Sequence, residues 1–210
     1  MIAWPPLDTR IVHLTETGST NTRALERADE GAISGTWVIA DRQSAGRGRS
    51  GRSWVSPAGN LHASLILRDV FPLERAAQLA LVSGVALHAA LSGAGAGQLS
   101  GRLELKWPND VLLERRKLGG ILVESSVSGR DRGALAVIGI GLNLAHHPET
   151  PAFAATSLGA GGVNVAPMNF LPSLDASMHR VTGSISCGRP GSNGAFRWER
   201  LCPSIRARGC

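Results

Sequence analysis

"RLELKWPNDVLLERRKLGGILVESS", residues 102–126, decides the fold of this 210-residue chain. It holds three strand-like runs, "RLELKW", "DVLLE" and "LGGILVESS", parted only by "PN" and "RRK". A parallel pair needs a crossover of about a dozen residues, so such short gaps make these neighbours antiparallel. "ALAVIGIGLNL" (134–144) returns after "VSGRDRG" and adds a fourth strand in the same manner. Toward the N-terminus, "RIVHL" (10–14), "TWVIADRQ" (36–43) and "NLHASLILR" (60–68) read as strands, and "STNTRALERADEG" (19–31) as a helix that Gly31 ends. Apolar Ala76, Ala77, Ala80, Leu81, Gly84, Leu87 and Leu91 recur at three and four, predicting a core-facing helix over 73–91 stopped by Gly93. The expected class is therefore α+β: a mixed, largely antiparallel sheet with helices packed on one face.

Beyond residue 160 the pattern decays. "LGAGGVNVAPMNF" (158–170) leads into a short helix at most, and 182–210 shows no sustained period. Residues 1–160 carry 16 Lys and Arg against 14 Asp and Glu, whereas 161–210 carry 6 against 2, so most of the net charge of +6 sits in the tail. That distribution argues against a nucleic-acid footprint spread over the fold. Cys187, Cys202 and Cys210 have no metal-site spacing and form no disulfide framework. No run approaches the roughly 18–20 apolar residues of a membrane span, and "MIAWPPLDTR" lacks the form of a signal peptide. The expectation is a cytoplasmic protein with no membrane partner.

Two stretches carry chemistry. "SAGRGRSGRSW" (44–54) matches the dinucleotide fingerprint through Gly46, Gly48 and Gly51. That fingerprint must open a helix, and "RSWVSPAGN" after Gly51 holds Pro57, Gly59 and Asn60, which forbid one. No GK[ST] follows either, so the phosphate loop of nucleotide hydrolases is excluded as well. Two readings stay open: a loop whose backbone N–H groups and Arg47, Arg49 and Arg52 grip phosphate, or a solvated basic segment of the kind that contacts RNA. The second stretch, "KWPNDVLLERRKLGGILVE" (106–124), sets Asn109 and Asp110 at a turn and brings Lys117 back beside Asp110. A lysine there neutralises charge developing at phosphorus, and an aspartate holds Mg2+ or orients an amine. Trp107 is expected in the core.

Together with "TGSTN" (17–21), "VIGIGLNL" (137–144) and "ATSL" (155–158), these blocks resemble the biotin protein ligases, in the order and roughly the spacing of that family. The resemblance covers about residues 10–160. It implies a class II synthetase-like catalytic fold, here over residues 1–181, with ATP, Mg2+ and biotin as ligands and a biotin carboxyl carrier protein as partner. Biotin is first activated as biotinyl-5'-AMP and then passed to a carrier lysine. Carried over by position, Ser19, Thr20, Asn21, Gln43, Gly46, Arg47, Lys117 and Gly120 would bind biotin. Arg47, Arg49, Arg52, Trp54, Asn109 and Asn143 would bind nucleotide, and Lys117, Asp110 and Arg49 would be catalytic, with Asp110 or Asn143 as the Mg2+ ligand. Gly119, Gly120 and Gly141 allow close approach to a ligand or simply tight packing.

Many relatives bear an N-terminal helix-turn-helix; "TGSTN" at residue 17 leaves no room for one, so no DNA partner is expected. Relatives usually end in a small β-barrel that 182–210 does not resemble, and ATP affinity is expected to suffer more than biotin affinity. Exposed strand edges offer a place for a homodimer. The alternatives are a lipoate or octanoyl protein ligase and a catalytically impaired biotin-binding module.

Overall fold

The computed structural model describes residues 5–68, 78–94, 98–99, 101–127, 134–149 and 153–186. Its strands are β1 (Ile11–Thr17), β2 (Trp37–Gln43), β3 (Leu61–Arg68), β4 (Leu103–Lys106), β5 (Asp110–Leu113), β6 (Arg116–Val127) and β7 (Ala134–Leu142). The helices are α1 (Thr20–Asp29), α2 (Gln78–Ala94) and α3 (Pro167–Ser186). One seven-stranded sheet runs β1-β2-β3-β7-β6-β5-β4. Only β1 and β2 are parallel, joined through α1 as a strand–helix–strand unit requires; all other neighbours are antiparallel. The mixed, largely antiparallel sheet is the expected one.

Alternation along the central strands divides the sheet into two faces. Trp37, Ile39, Leu65, Leu67, Ile138 and Ile140 point to the main core with α2 and α3. Val38, Ile66, Leu135 and Val137 point the other way, against Ala24 and Ala28 of α1. The two long helices thus share one face as expected, while α1 occupies part of the opposite face. Its charges lie outward, where Arg23 and Arg27 pair with Glu26 and Glu30.

Three details differ from the sequence reading. In α2, Leu79, Val82, Ala86, Leu87, Ala90 and Leu91 are buried, whereas Leu81 is exposed. The helix is apolar nearly all round, so its periodicity had little polar contrast to set the phase. It also continues through Gly93 to Ala94, and the expected start at 73–77 lies outside the described residues. The short helix expected after 158–170 is a 20-residue one. Pro167 suits its first turn, and Pro172, which reads as a breaker, sits on the exposed side where water can satisfy the carbonyl left without a donor. Phe170, Leu171, Leu174, Met178 and Val181 form its buried stripe. Of the tail from 182, only the backbone of 182–186 belongs to α3; residues 187–210, with all three cysteines, lie outside the described residues.

His62 of β3 and His88 of α2 are buried. Burial pushes both imidazoles below the ordinary 6.5, against smaller opposing contributions from the Pro57 and Leu103 backbone. Each resists protonation in the fold but not in the unfolded chain. The unfolded state then binds more protons as pH drops below about 6.5, so stability is full above that value and is lost as pH falls from it toward the folded-state values. The urea midpoint is expected to decline between pH 7 and pH 5.5, and His62→Gln, which retains a donor for the Pro57 carbonyl, should flatten part of that slope. Identical pH profiles for the two proteins would remove His62 as a cause.

Candidate functional site

α1 covers only one end of its face of the sheet. The remainder, over Gly120 and Leu122 of β6 and Gly139 and Gly141 of β7, floors a cavity of about 490 Å3. Ser19, Thr20, Asn21 and Gln43 line it, as do Asn109, Asp110 and Lys117, and Arg47, Arg49, Arg52 and Trp54 stand over it. Thus nearly all residues singled out from the sequence meet in one place.

The chemistry-bearing pair depends on a bulge. Val111 pairs with Gly119 but Leu112 with Lys117, so the register slips at Leu118. Strict alternation would put Lys117, three residues before cavity-facing Gly120, on the core side. The extra residue sends Leu118 into the core instead and returns Lys117 to the cavity. The segment at Ala155 holds this start of β6 in place: Lys117 N donates to the Ala154 carbonyl and Thr156 N to the Lys117 carbonyl, at 2.8 and 2.9 Å. Glu114 and Arg115 form the two-residue turn into β6 with φ of 50° and 64°, the left-handed pair that a tight hairpin demands. The result places Lys117 Nζ 2.9 Å from Asp110 Oδ1. The ammonium also lies 5.5 Å from the Trp54 ring and 5.8 Å from the Phe153 ring, so two aromatic faces and one carboxylate confine it.

The 44–54 loop is a miniature hairpin rather than a helix start. Arg47 bridges Ser53, Gly48 N donates to the Arg52 carbonyl, and Ser50 and Gly51 reverse the chain with φ of 58° and 71°. Its arginines are divided between the two rims of the cavity. Arg47 Nη2 contacts Glu124 Oε2 at 3.0 Å and Thr22 Oγ1 at 3.3 Å, and Arg49 Nη1 donates to Asn109 Oδ1 at 3.3 Å. The loop therefore straps the opening.

At the α1 end the polar groups interlock. Gln43 Oε1 accepts from Thr20 N and Oγ1 at 2.7 and 3.0 Å, and Gln43 Nε2 donates to Ser56 Oγ at 2.9 Å. Asn21 Nδ2 donates to Glu124 Oε2 at 2.7 Å and to the Leu122 carbonyl at 3.3 Å, while Ser64 Oγ donates to Asn21 Oδ1 at 2.6 Å. Both ends of the Asn21 amide are thus fixed. Two glycines of β7 make room here, since a Cβ at Gly139 would overlap the Asn21 amide and one at Gly141 would lie 2.6 Å from the Trp54 indole. Gly139→Ala should accordingly lower the free energy of unfolding by about 1–3 kcal/mol in urea titrations. A loss below about 0.5 kcal/mol would mean that Asn21 yields without cost.

Three expected positions are corrected. Asn143 is buried and does not line the cavity; its amide donates to the Thr156 carbonyl at 3.0 Å and its backbone joins Leu118 and Leu158. It supports the segment behind Lys117 rather than the cavity lining. Gly46 lies behind the cavity wall, accepting from Trp54 N at 2.9 Å, and a Cβ there would strike the Trp54 carbonyl and Ser56 Oγ. Trp107 is 71% exposed rather than core, because it sits in the turn that joins β4 to β5 at the edge of the sheet. Of the ambiguous glycines, Gly119 is a packing glycine against Gly141 and Leu142, whereas Gly120 and Gly141 border the cavity.

Phe153, Arg115 and Gly139 line the cavity without having been singled out, as Lys106 of the hairpin block does beside its neighbours, and Glu124 and Ser64 support it from beside the wall. The position of Glu124 was accessible in principle, since β6 alternation carries Gly120, Leu122 and Glu124 to one face. Phe153 had no such signal, because its proximity depends on a long-range loop.

Residues 15–143 match the Biotin/lipoate A/B protein ligase family. The chain is 50% identical over 139 residues to the biotin--[acetyl-CoA-carboxylase] ligase of Paracoccus denitrificans, covering 66% of this chain and 56% of that protein. The chain thus spans little more than half the length of this curated relative. Its fold superposes on a biotin protein ligase of Leishmania major in complex with biotinyl-5-AMP at a TM-score of 0.70, with 27% identity over 86% of this chain and 76% of that one. It superposes on a biotin protein ligase of Aquifex aeolicus in complex with biotin and ATP at 0.68, with 31% identity over 84% and 72%.

Proposed function

Because this chain belongs to the Biotin/lipoate A/B protein ligase family, we propose that it activates biotin with ATP and transfers it to a lysine of a biotin carboxyl carrier protein in the cytoplasm. The observation that carries this reading is one cavity with two unlike ends: interlocked amides and hydroxyls at α1, and the Lys117–Asp110 pair under an arginine strap.

The first end supports biotin over lipoate. A ureido ring offers two N–H donors and a carbonyl acceptor, and Ser19, Thr20, Asn21 and Gln43 present matching polar groups in fixed orientations. A dithiolane offers neither, and a site built for hydrogen bonds discriminates sharply against a ligand that leaves its groups unpaired. At the second end, a carboxylate oxygen of biotin attacks the α-phosphorus of ATP, the bond to the bridging oxygen breaks, and pyrophosphate leaves. Lys117 Nζ is the cation beside that centre. Arg49, Arg52 and Asn109 are the groups that would receive the phosphates, and Trp54 is the aromatic face beside them. In the second step the carrier lysine amine attacks the acyl carbon, AMP departs, and the amine proton is lost, with Asp110 as the carboxylate that orients the nucleophile.

Mg2+ would be held by the ATP phosphates and waters, with Asp110 as the carboxylate of this chain able to join them, and would neutralise charge on the phosphates. Asp110 is the carboxylate at that end of the cavity, and no cluster of three or more His, Cys, Asp or Glu side chains among the described residues builds a metal site by itself. Strapping of the cavity by the 44–54 loop would keep water from the mixed anhydride.

The test is biotin-dependent exchange of pyrophosphate into ATP by the purified chain, with lipoate as competitor. Exchange that needs biotin and resists lipoate supports the reading. Exchange supported by lipoate in place of biotin would transfer it to lipoate attachment, and biotin binding without exchange would leave a binding module.

A further inference from the structure

We propose that Glu124 is a positioning residue that couples the α1 end of the cavity to closure of the 44–54 loop, an inference that rests on the biotin-ligase reading for its catalytic consequence. Glu124 follows Gly120 and Leu122 on the cavity face of β6, at the far end from Lys117. Its Oε2 accepts from two separate elements, Asn21 Nδ2 of α1 at 2.7 Å and Arg47 Nη2 of the loop at 3.0 Å. The carboxylate is the point where the cavity floor and its cover meet.

The arrangement has a directional consequence. Asn21 is held from both sides, by Ser64 and by Glu124, with Gly139 leaving space beneath it. Arg47 follows the anchored base of the loop, where Ser44 N and Ala45 N donate to the Thr17 and Gly18 carbonyls at 3.0 and 2.8 Å. Through Glu124, the anchored limb of the loop is attached to the same amide that shapes the pocket. A ligand that fixes Asn21 therefore also favours the strapped loop, and a strapped loop favours the amide orientation that the ligand needs. Arg49, tied on the other rim to Asn109 alone among the described residues, keeps the freedom to turn toward a phosphate. The arginines so divide into one that anchors and others that bind.

The experiment compares Glu124→Ala, Arg47→Ala and the double variant, with two readouts. In the ligand-free protein, backbone amides 46–53 should exchange with solvent about tenfold faster in either single variant, and less than about twofold faster again in the double. In the pyrophosphate exchange assay, the biotin KM should rise about tenfold in each single variant, again without multiplying in the double, while kcat of Glu124→Ala changes less than about threefold. Glu124→Gln keeps an acceptor for both donors but no charge, and should recover most of the biotin KM. Effects that multiply in the double variant, or amide exchange in 46–53 within twofold of wild type, would overturn the coupling. A purely structural role would speed exchange across β6 and β7 as much as in the loop, which also counts against it. Should Glu124→Ala fail to fold, Arg47→Ala carries the loop test: faster exchange of amides 46–53 supports the latch, and exchange within twofold of wild type refutes it. Lack of any biotin-dependent exchange in the wild type sinks the ligase reading alone, because the loop amides report on the latch without substrate.

Discussion

Lys117→Ala is expected to slow biotin-dependent pyrophosphate exchange by ~10²-fold or more at saturating biotin and ATP. The ammonium stands 2.9 Å from Asp110 and faces the Trp54 and Phe153 rings, inside a cavity where water competes poorly for it. Charge that gathers on the α-phosphate during attack loses that partner in the variant. It also meets the Asp110 carboxylate, which Lys117 otherwise neutralises at the same spot, so the loss combines missing attraction with new repulsion. Two comparisons isolate these effects. Adding Asp110→Asn to Lys117→Ala should return part of the lost rate by removing the repulsion. Lys117→Arg should not restore activity, because a planar guanidinium does not replace a compact ammonium between two rings. The side chain is partly exposed and contributes little to the core, so the thermal midpoint should hold. A rate within threefold of wild type would remove Lys117 from the catalytic groups.

Asp175→Ala is expected to cost ~3–5 kcal/mol of stability, the largest effect in the described part of the fold. Asp175 projects from α3 toward β1 and β2, where Arg10 Nη2 and Nη1 donate to its two oxygens at 2.9 and 3.3 Å and Trp37 Nε1 donates at 2.8 Å. The Arg10 side chain is only 2% exposed. Arg10 also donates to the carbonyls of Pro5 and Gly35. Removing the carboxylate takes the Asp175 ion pair from a buried cation and the acceptor from a buried indole N–H. For a chain of this size the thermal midpoint should fall on the order of 10 °C. Asp175→Asn, which keeps an acceptor in the same volume, should cost less. Calorimetric midpoints within about 2 °C for wild type and Asp175→Ala would show that α3 docks on its apolar stripe alone.

The sequence by itself determined the antiparallel run from β4 to β7, since the connections among "RLELKW", "DVLLE" and "LGGILVESS" are too short for any crossover. It also determined which two blocks carry the site: chain breakers after Gly51 forbid a helix there, and a tight hairpin brings Lys117 into the neighbourhood of Asp110. Such conclusions depend on near neighbours, whose geometry peptide bonds and turn length constrain. Five other features belong to the tertiary structure. The bulge at Leu118 decides that Lys117 faces the cavity, and the segment 154–156 bonds to it from far along the chain. α1 takes the face opposite α2, the apolar α2 buries Leu79 and exposes Leu81, and α3 runs through Pro172 because packing of its stripe outweighs one lost hydrogen bond. Asn143, adjacent to a cavity strand in sequence, is turned away by its bond to Thr156. In each case contacts between residues distant in sequence select among conformations that local propensity leaves nearly equal in energy, so the choice exists only once the sheet, its helices and the 153–158 segment are assembled.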